Sequence, residues 1–245
     1  MAIPERLLRA HPRNVMIELT TRCNLRCVYC AVSNPHYVNR DLAADPREVV
    51  RQVAALRPSE VQISGHGETT LVKGWVELAR ELLDLGVPVT ITTNLAKPLH
   101  DEEVEVLSEL SNLTVSCDTS DHEAYARIRR NGRLAQLEQN LARIAEACDR
   151  HPEHRPYLAI NCVLTEGTVA GLSDLVDWAA DRRAVCVSLT NLVVYPELGD
   201  MVPRHPREVP GASLAIEQAC ARAHARGLDF NVMGGLTEAL SEARA

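Results

Sequence analysis

The chain has 245 residues, of which 46% are hydrophobic and 24% charged, the composition of an ordinary globular protein. Its formal net charge of −7, without any basic run, argues against nucleic-acid binding. The amino end, MAIPERLLRAHPRNV, has no continuous apolar segment, so neither a secretory signal nor a membrane span is expected, and a cytoplasmic location is predicted. Thiols stay reduced there, so the eight cysteines are expected to be ligands or small core residues.

Short strand-like runs alternate with longer helical runs. Period-two patterns predict strands at 14–20, 60–64, 87–94, 112–118, 156–164 and 184–190, with a weak seventh at 228–233. Helices are predicted from Asp45-Pro46 to about 58, and at about 74–85, 101–110, 134–148, 172–180 and 212–226. This alternation predicts the α/β class, with a parallel sheet and right-handed crossovers. It fits a barrel or partial barrel, and an open doubly wound sheet equally well.

The whole chain, 1–245, is expected to form a single domain. Residues 1–13 would be an amino-terminal extension and about 14–190 the core, followed at 191–245 by a loop, helices and the weak edge strand. The proline-rich segment 195–210 is long and irregular, as loops that cover sites often are.

The predicted strands alternate polar with apolar residues, whereas the strands of most parallel sheets are continuously apolar. With a period of two, the polar residues share one face of each strand. They are Glu18, Thr20, Gln62, Ser64, Thr90, Thr92, Asn94, Thr114, Ser116, Asp118, Asn161, Ser188 and Thr190. We expect this polar face to line a cavity; the alternative is a filled core in which these groups satisfy one another.

Three cysteines, Cys23, Cys27 and Cys30, follow the first predicted strand within eight positions. A structural zinc site needs four ligands, usually in two pairs, and the remaining cysteines stand singly. His36 is available as a fourth ligand, although its spacing does not favour it, and a catalytic zinc with three thiolates and water also stays open. A [4Fe–4S] cluster fits three cysteines, since one iron is then left for another ligand.

The spacing Cys23-x-x-x-Cys27-x-x-Cys30, with Tyr29 before the last cysteine, resembles the radical S-adenosylmethionine (SAM) family. The segments ISGHGETTL, ITTN and VSCDTSDHEAYARIRR resemble later motifs of that family, in order, within about 14–190. The resemblance implies a partial (βα)6 barrel in which the three cysteines hold a [4Fe–4S] cluster. It also implies reductive cleavage of SAM to a 5′-deoxyadenosyl radical, hydrogen abstraction from a substrate, and an external electron donor of the flavodoxin or ferredoxin type.

The resemblance further implies cofactor contacts for particular residues. Glu68 would accept a hydrogen bond from the methionine ammonium of SAM, and Tyr29 would lie near the adenine. The residues expected to hold the ribose and carboxylate are Asn94, Ser116, Asp118 and Arg129, with Arg127 and Arg130 as alternatives to Arg129.

The chain departs from the family pattern around Glu68, where His66-Gly67 replaces a double glycine and Thr69 replaces a proline. His66 is a candidate catalytic residue beside the cluster or substrate, and its alternative is a structural role in the turn. Cys186 shares a predicted face with Ser188 and is a second candidate, as a hydrogen-atom donor; its alternative is a small residue filling the barrel floor.

A bare catalytic barrel, without a cobalamin-binding or cysteine-rich SPASM domain, is expected to act on a small polar metabolite such as a sugar, nucleoside or aminocyclitol, including those of natural-product biosynthesis. Activation of a glycyl-radical protein is an alternative that the end of strand four, Ser-Cys-Asp-Thr, does not favour. Modification of a peptide is a second alternative function. A non-enzymatic metal-binding or electron-transfer module would leave the GHGE segment unexplained. Oxidation, elimination and epimerisation all stay open.

Overall fold

The computed structural model describes residues 14–195, 198, 203 and 208–233. The predicted extension 1–13 and most of the proline-rich segment therefore lie outside the described residues. Among those residues, seven parallel strands form one sheet, in the order β1-β3-β4-β5-β7-β8-β9. The strands are β1 (Asn14–Ile17), β3 (Glu60–Ile63), β4 (Val89–Thr93), β5 (Asn112–Ser116), β7 (Tyr157–Leu164), β8 (Cys186–Asn191) and β9 (Asp229–Val232).

Helices follow the strands and pack against one face of the sheet. They are α1 (Pro46–Leu56), α2 (Trp75–Asp84), α3 (Asp101–Glu109), α4 (His122–Ile128), α5 (Leu134–Arg150), α6 (Glu166–Val169), α7 (Leu172–Asp181) and α8 (Ala212–Arg226). The α/β class and the partial-barrel architecture are confirmed, with the weak seventh strand, β9, at one edge and β1 at the other. Within the described ranges, no helix has the length and apolar character needed to cross a membrane.

The apolar residues of the strands point toward the helices. On β5, Leu113 and Val115 are fully buried, and Cys117 lies just beyond them in the same core. Cys162 on β7 is also part of this core. Both cysteines therefore face the helices.

Part of the intervening polar row faces the other way and is partly open. Thr114 and Ser116 alternate with the buried residues of β5, and Asn161 and Ser188 continue the same row on β7 and β8. Five other residues of the predicted polar set are buried: Thr20, Ser64, Thr90, Asn94 and Asp118. The polar face is therefore partly open along β5, β7 and β8 and packed elsewhere. The carboxyl ends of the parallel strands bring this face to the segment that contains the three cysteines.

Two local features differ from the predictions. Strand β1 ends at Ile17 and not at residue 20, because Thr20 and Thr21 turn away and bind the segment at Arg40–Asp41. A small antiparallel sheet, formed by β2 (Arg26–Cys27) and β6 (Arg129–Arg130), has no counterpart among the predicted elements.

Candidate functional site

The loop that follows β1, here called the cysteine loop, covers residues 22–30 and is tied to the chain after α4. Cys27 pairs with Arg129 between β2 and β6, and the Val28 amide donates to the Ile128 carbonyl at 3.0 Å. The Cys30 amide donates to the Cys27 carbonyl at 3.1 Å. Backbone contacts therefore hold the thiol-bearing segment independently of any bound group.

The three thiols differ in solvent exposure. Cys27 is buried, whereas Cys23 and Cys30 are partly exposed. Burial raises the pKa of the Cys27 thiol to about 12 and also raises that of Cys23. A metal ion bound here would reverse this preference, because it would stabilise the coordinating thiolate. Its binding would displace the protons of Cys23 and Cys27.

The sulfur of Cys23 is surrounded by hydrogen-bond donors. Within the described ranges, no group of three or more His, Cys, Asp or Glu side chains converges on a single-ion position. The sulfur of Cys23 instead accepts the Leu25 amide at 3.4 Å and the Asn94 side-chain amide at 3.6 Å. Hydrogen bonds of this kind to sulfur suit a ligating thiolate. The surroundings of Cys23 therefore fit a ligand of an iron–sulfur cluster.

Glu68 is 2% exposed and held from several sides. Its Oε1 accepts hydrogen bonds from the Thr70 amide at 3.1 Å, the Thr70 hydroxyl at 2.8 Å and the Thr93 hydroxyl at 2.6 Å. Its Oε2 accepts one from the Asn94 amide at 2.8 Å. The carboxylate is thus fixed by the backbone amide of Asn94, whose side-chain amide contacts Cys23. Oε2 is the less occupied of its two oxygens.

Gly67 brings the turn with Glu68 against the start of the cysteine loop. The Glu68 amide donates to the Arg22 carbonyl at 2.8 Å. A Cβ on residue 67 would collide with the Thr20 carbonyl and stand 2.6 Å from the Arg22 oxygen. Only glycine allows this backbone approach. The departure from the family's double glycine therefore leaves the essential one in place.

Asp118, Arg129 and Tyr29 contact one another in a buried network. The Arg129 guanidinium donates to Asp118 through Nε at 2.8 Å and Nη2 at 3.1 Å. The Tyr29 hydroxyl and the Val163 amide donate to the same carboxylate at 2.7 and 2.9 Å. Burial raises the pKa of the Tyr29 hydroxyl, which keeps it a donor. The network joins the cysteine loop to the ends of β5 and β7.

The two alternative arginines lie elsewhere. Arg127 is largely exposed and lies 3.7 Å from Glu123 on the same helix. Arg130 is exposed on β6. Of the three, Arg129 is the one that reaches the interior.

His66 lies at the mouth of the polar face. Its side chain is half exposed, with Nδ1 3.4 Å from Glu18, whose Oε1 also accepts the His66 amide at 2.6 Å. It borders a cleft of about 430 Å³ beside the cysteine loop. The cleft is lined by Ala31, Asn34, His36, Tyr37, Val38, His66, Tyr195 and Leu198.

Cys186 lies at the opposite end of the sheet. It is the first residue of β8, 1% exposed, and its sulfur accepts the Asn231 side-chain amide at 3.3 Å. The cysteine loop follows the carboxyl end of β1, so Cys186 lies far down the polar face. This position suits the floor of the barrel better than a hydrogen donor.

The sequence matches the Radical SAM superfamily over residues 17–167. It is 33% identical over 165 residues to GTP 3′,8-cyclase of Lactiplantibacillus plantarum, covering 62% of this chain and 46% of that protein. It is 28% identical to the sporulation killing factor maturation protein SkfB of Bacillus subtilis, covering 71% and 41%. The chain thus spans about half the length of these relatives.

Solved structures show the same fold. Streptococcus suis SuiB bound to S-adenosylmethionine superposes with a TM-score of 0.73 at 19% identity, covering 91% of this chain and 51% of SuiB. SuiB bound to its precursor peptide SuiA gives 0.74 at 20% identity, covering 95% and 51%. Since the family match covers more than half of the sequence, the chain belongs to the radical SAM superfamily, whose enzymes use a [4Fe–4S] cluster and SAM.

Proposed function

We propose that Cys23, Cys27 and Cys30 hold the cluster and that this enzyme abstracts hydrogen from a small polar metabolite. When bound, the reduced cluster and SAM supply a 5′-deoxyadenosyl radical. The chain holds the reactants and keeps other hydrogen donors away. The observation that carries the substrate class is the row of hydroxyl and amide side chains beside the cysteine loop.

The residues around the loop have distinct roles in this proposal. Oε2 of Glu68 accepts the methionine ammonium of SAM, since only the Asn94 amide, of the described groups, already donates to it. Ser116 is partly exposed at the end of β5 and binds the ribose or carboxylate. Nη1 of Arg129 binds the carboxylate of SAM, because Nε and Nη2 already donate to Asp118. Asp118 and Tyr29 hold that guanidinium and the loop in place.

A basic surface beside Cys27 supports an external electron donor. Arg22 and Arg26 are exposed on the cysteine loop, with Arg22 paired to Asp41 at 3.0 Å, and Arg130 is exposed opposite Arg26 in the small sheet. Clustered positive charge attracts an acidic partner and speeds its association. We propose a flavodoxin or ferredoxin type of donor docking here, in the cytoplasm, where cysteines remain reduced.

The test is an anaerobic assay with reconstituted enzyme, reductant, SAM and a panel of deuterated polar metabolites. We expect one compound to raise 5′-deoxyadenosine formation and to transfer deuterium into it. A protein that binds four irons but never cleaves SAM would overturn the proposal. So would a cluster-free protein that binds zinc stoichiometrically.

Peptide modification is the second candidate, because SkfB is named for the maturation of a killing factor and SuiB binds a precursor peptide. The same assay separates the two. Deuterium transfer from a labelled peptide, with none from the metabolites, would favour this candidate. Activation of a glycyl-radical protein would instead give a protein-based radical signal.

A further inference from the structure

The charges on the polar face can be read from the strand register. Met16 of β1 pairs with Gln62 of β3, and Ile17 pairs with Ile63, which is fully buried toward the helices. Since side chains alternate along a strand, Glu18 lies on the same face as Met16 and Gln62. Glu18, one residue beyond the carboxyl end of this edge strand, therefore continues its inward-facing row.

In the described part of the chain, no inward-facing position of the sheet is a lysine or an arginine. The charged residues on that face are carboxylates: Glu18, Glu60, Asp118 and Asp229. Both lysines of the sequence lie elsewhere; Lys97 pairs with Glu103 at 2.7 Å, and Lys73 precedes α2. The strand positions of this face are thus neutral or negative, and the Arg129 guanidinium, which reaches the site from β6, is paired with Asp118.

Glu18 differs from the other buried or inward carboxylates near the cysteine loop. Asp118 and Glu68 each accept four hydrogen bonds from the protein, as described above. The Glu18 side chain is 38% exposed. Its Oε1 accepts the His66 amide and lies 3.4 Å from His66 Nδ1. No described residue donates to its Oε2. Gly65 makes room for this carboxylate, because a Cβ there would collide with Oε1.

We infer that the substrate of the proposed reaction is an amine-bearing polar molecule without a phosphate group, whose ammonium binds Oε2 of Glu18. This inference rests on the proposed function, since it names the ligand of the same polar face. The hydroxyl and amide side chains beyond Glu18 bind the uncharged groups of such a molecule. A nucleoside triphosphate, by contrast, needs several arginines or lysines, which the described strand positions of this face lack; Arg129 is already paired with Asp118.

The test compares four ligands with the SAM-loaded holoenzyme: glucosamine, glucose, glucose 6-phosphate and GTP. Binding is measured by anaerobic calorimetry, and 5′-deoxyadenosine formation is followed in parallel. We expect glucosamine to bind at least about ten-fold more tightly than the other three, the usual effect of one charge-assisted hydrogen bond. Glu18→Gln should remove this preference while keeping the acceptor for the His66 amide.

Glu77→Gln is the matched control, because Glu77 is an exposed carboxylate on α2, in the outer helical layer. It should leave all four affinities unchanged. Equal binding of the four ligands, or tighter binding of glucose 6-phosphate or GTP, overturns the inference. A loss of SAM affinity in Glu18→Gln also overturns it, by placing Glu18 in the cofactor site. Failure to cleave SAM under any condition counts against the proposed function instead, while the binding comparison still decides this inference.

Discussion

The two faces of the sheet use the same strands for different purposes. On β5, Leu113 and Val115 are fully buried against the helices, while Thr114 and Ser116 are partly open on the other side. The apolar face contributes most of the burial that stabilises the fold. The polar face is partly open along β5, β7 and β8 and carries the groups that are proposed to bind ligands. Substitutions one residue apart should therefore affect either stability or chemistry, and seldom both.

The largest effect should come from replacing a cysteine of the cysteine loop, compared with replacing one on the apolar face of the sheet. Replacing Cys23, Cys27 or Cys30 with alanine should abolish SAM cleavage, because the cluster loses one of its three thiolates. Cys117→Ala, on the apolar face, should keep about four irons per chain and lose only stability. Iron analysis and 5′-deoxyadenosine formation measure the two outcomes. A Cys30→Ala protein with full iron and full activity would disprove the ligand assignment.

A second effect should appear in stability. Leu113→Ala should lower the free energy of unfolding by about 2–5 kcal/mol, since it leaves a cavity in the core. Thr114→Ala, one residue along, should lower it by less than about 1 kcal/mol, because its side chain is partly open. Anaerobic urea denaturation measures both. Equal losses would mean that the polar face is packed as tightly as the apolar one.

The smallest effect concerns Glu68, a buried carboxylate in the turn that follows β3. Glu68→Gln should weaken SAM binding by about 10- to 100-fold, because it replaces a charge-assisted hydrogen bond with a neutral one. Iron content should not change. Thr70→Val is the control, since it removes a donor to Oε1 and leaves Oε2 intact. If both variants lose iron together with SAM, the role of Glu68 is structural.

The parts of the fold that repeat along the chain were predictable. The alternation in NLTVSC and AINCVL predicts both the strands and their two faces, because side-chain direction depends only on the local period of two. The small β2·β6 sheet was not predictable. Each of its strands has two residues, too few for a period, and its partner lies far away in the sequence.

The sequence predicts which residues form the candidate site more fully than it predicts the contacts between them. The motifs place Tyr29, Asp118 and Arg129 near SAM, but they do not show that these three residues bind one another. Their pairing depends on how β2 meets β6, which has no local signal. In the same way, Glu18 belongs to the predicted polar set, yet only the turn at Gly65–His66 shows which of its oxygens stays open.

The pairing of Cys27 with Arg129 also has a consequence for the order in which the protein is assembled. It joins segments about a hundred residues apart, and closing so long a loop costs entropy that two strand residues cannot offset alone. We therefore expect β1, β3, β4 and β5 to associate first and to bring the two segments together. Iron would then be delivered to a nearly folded chain, and a protein made without iron should keep its sheet while its metal-binding segment closes last.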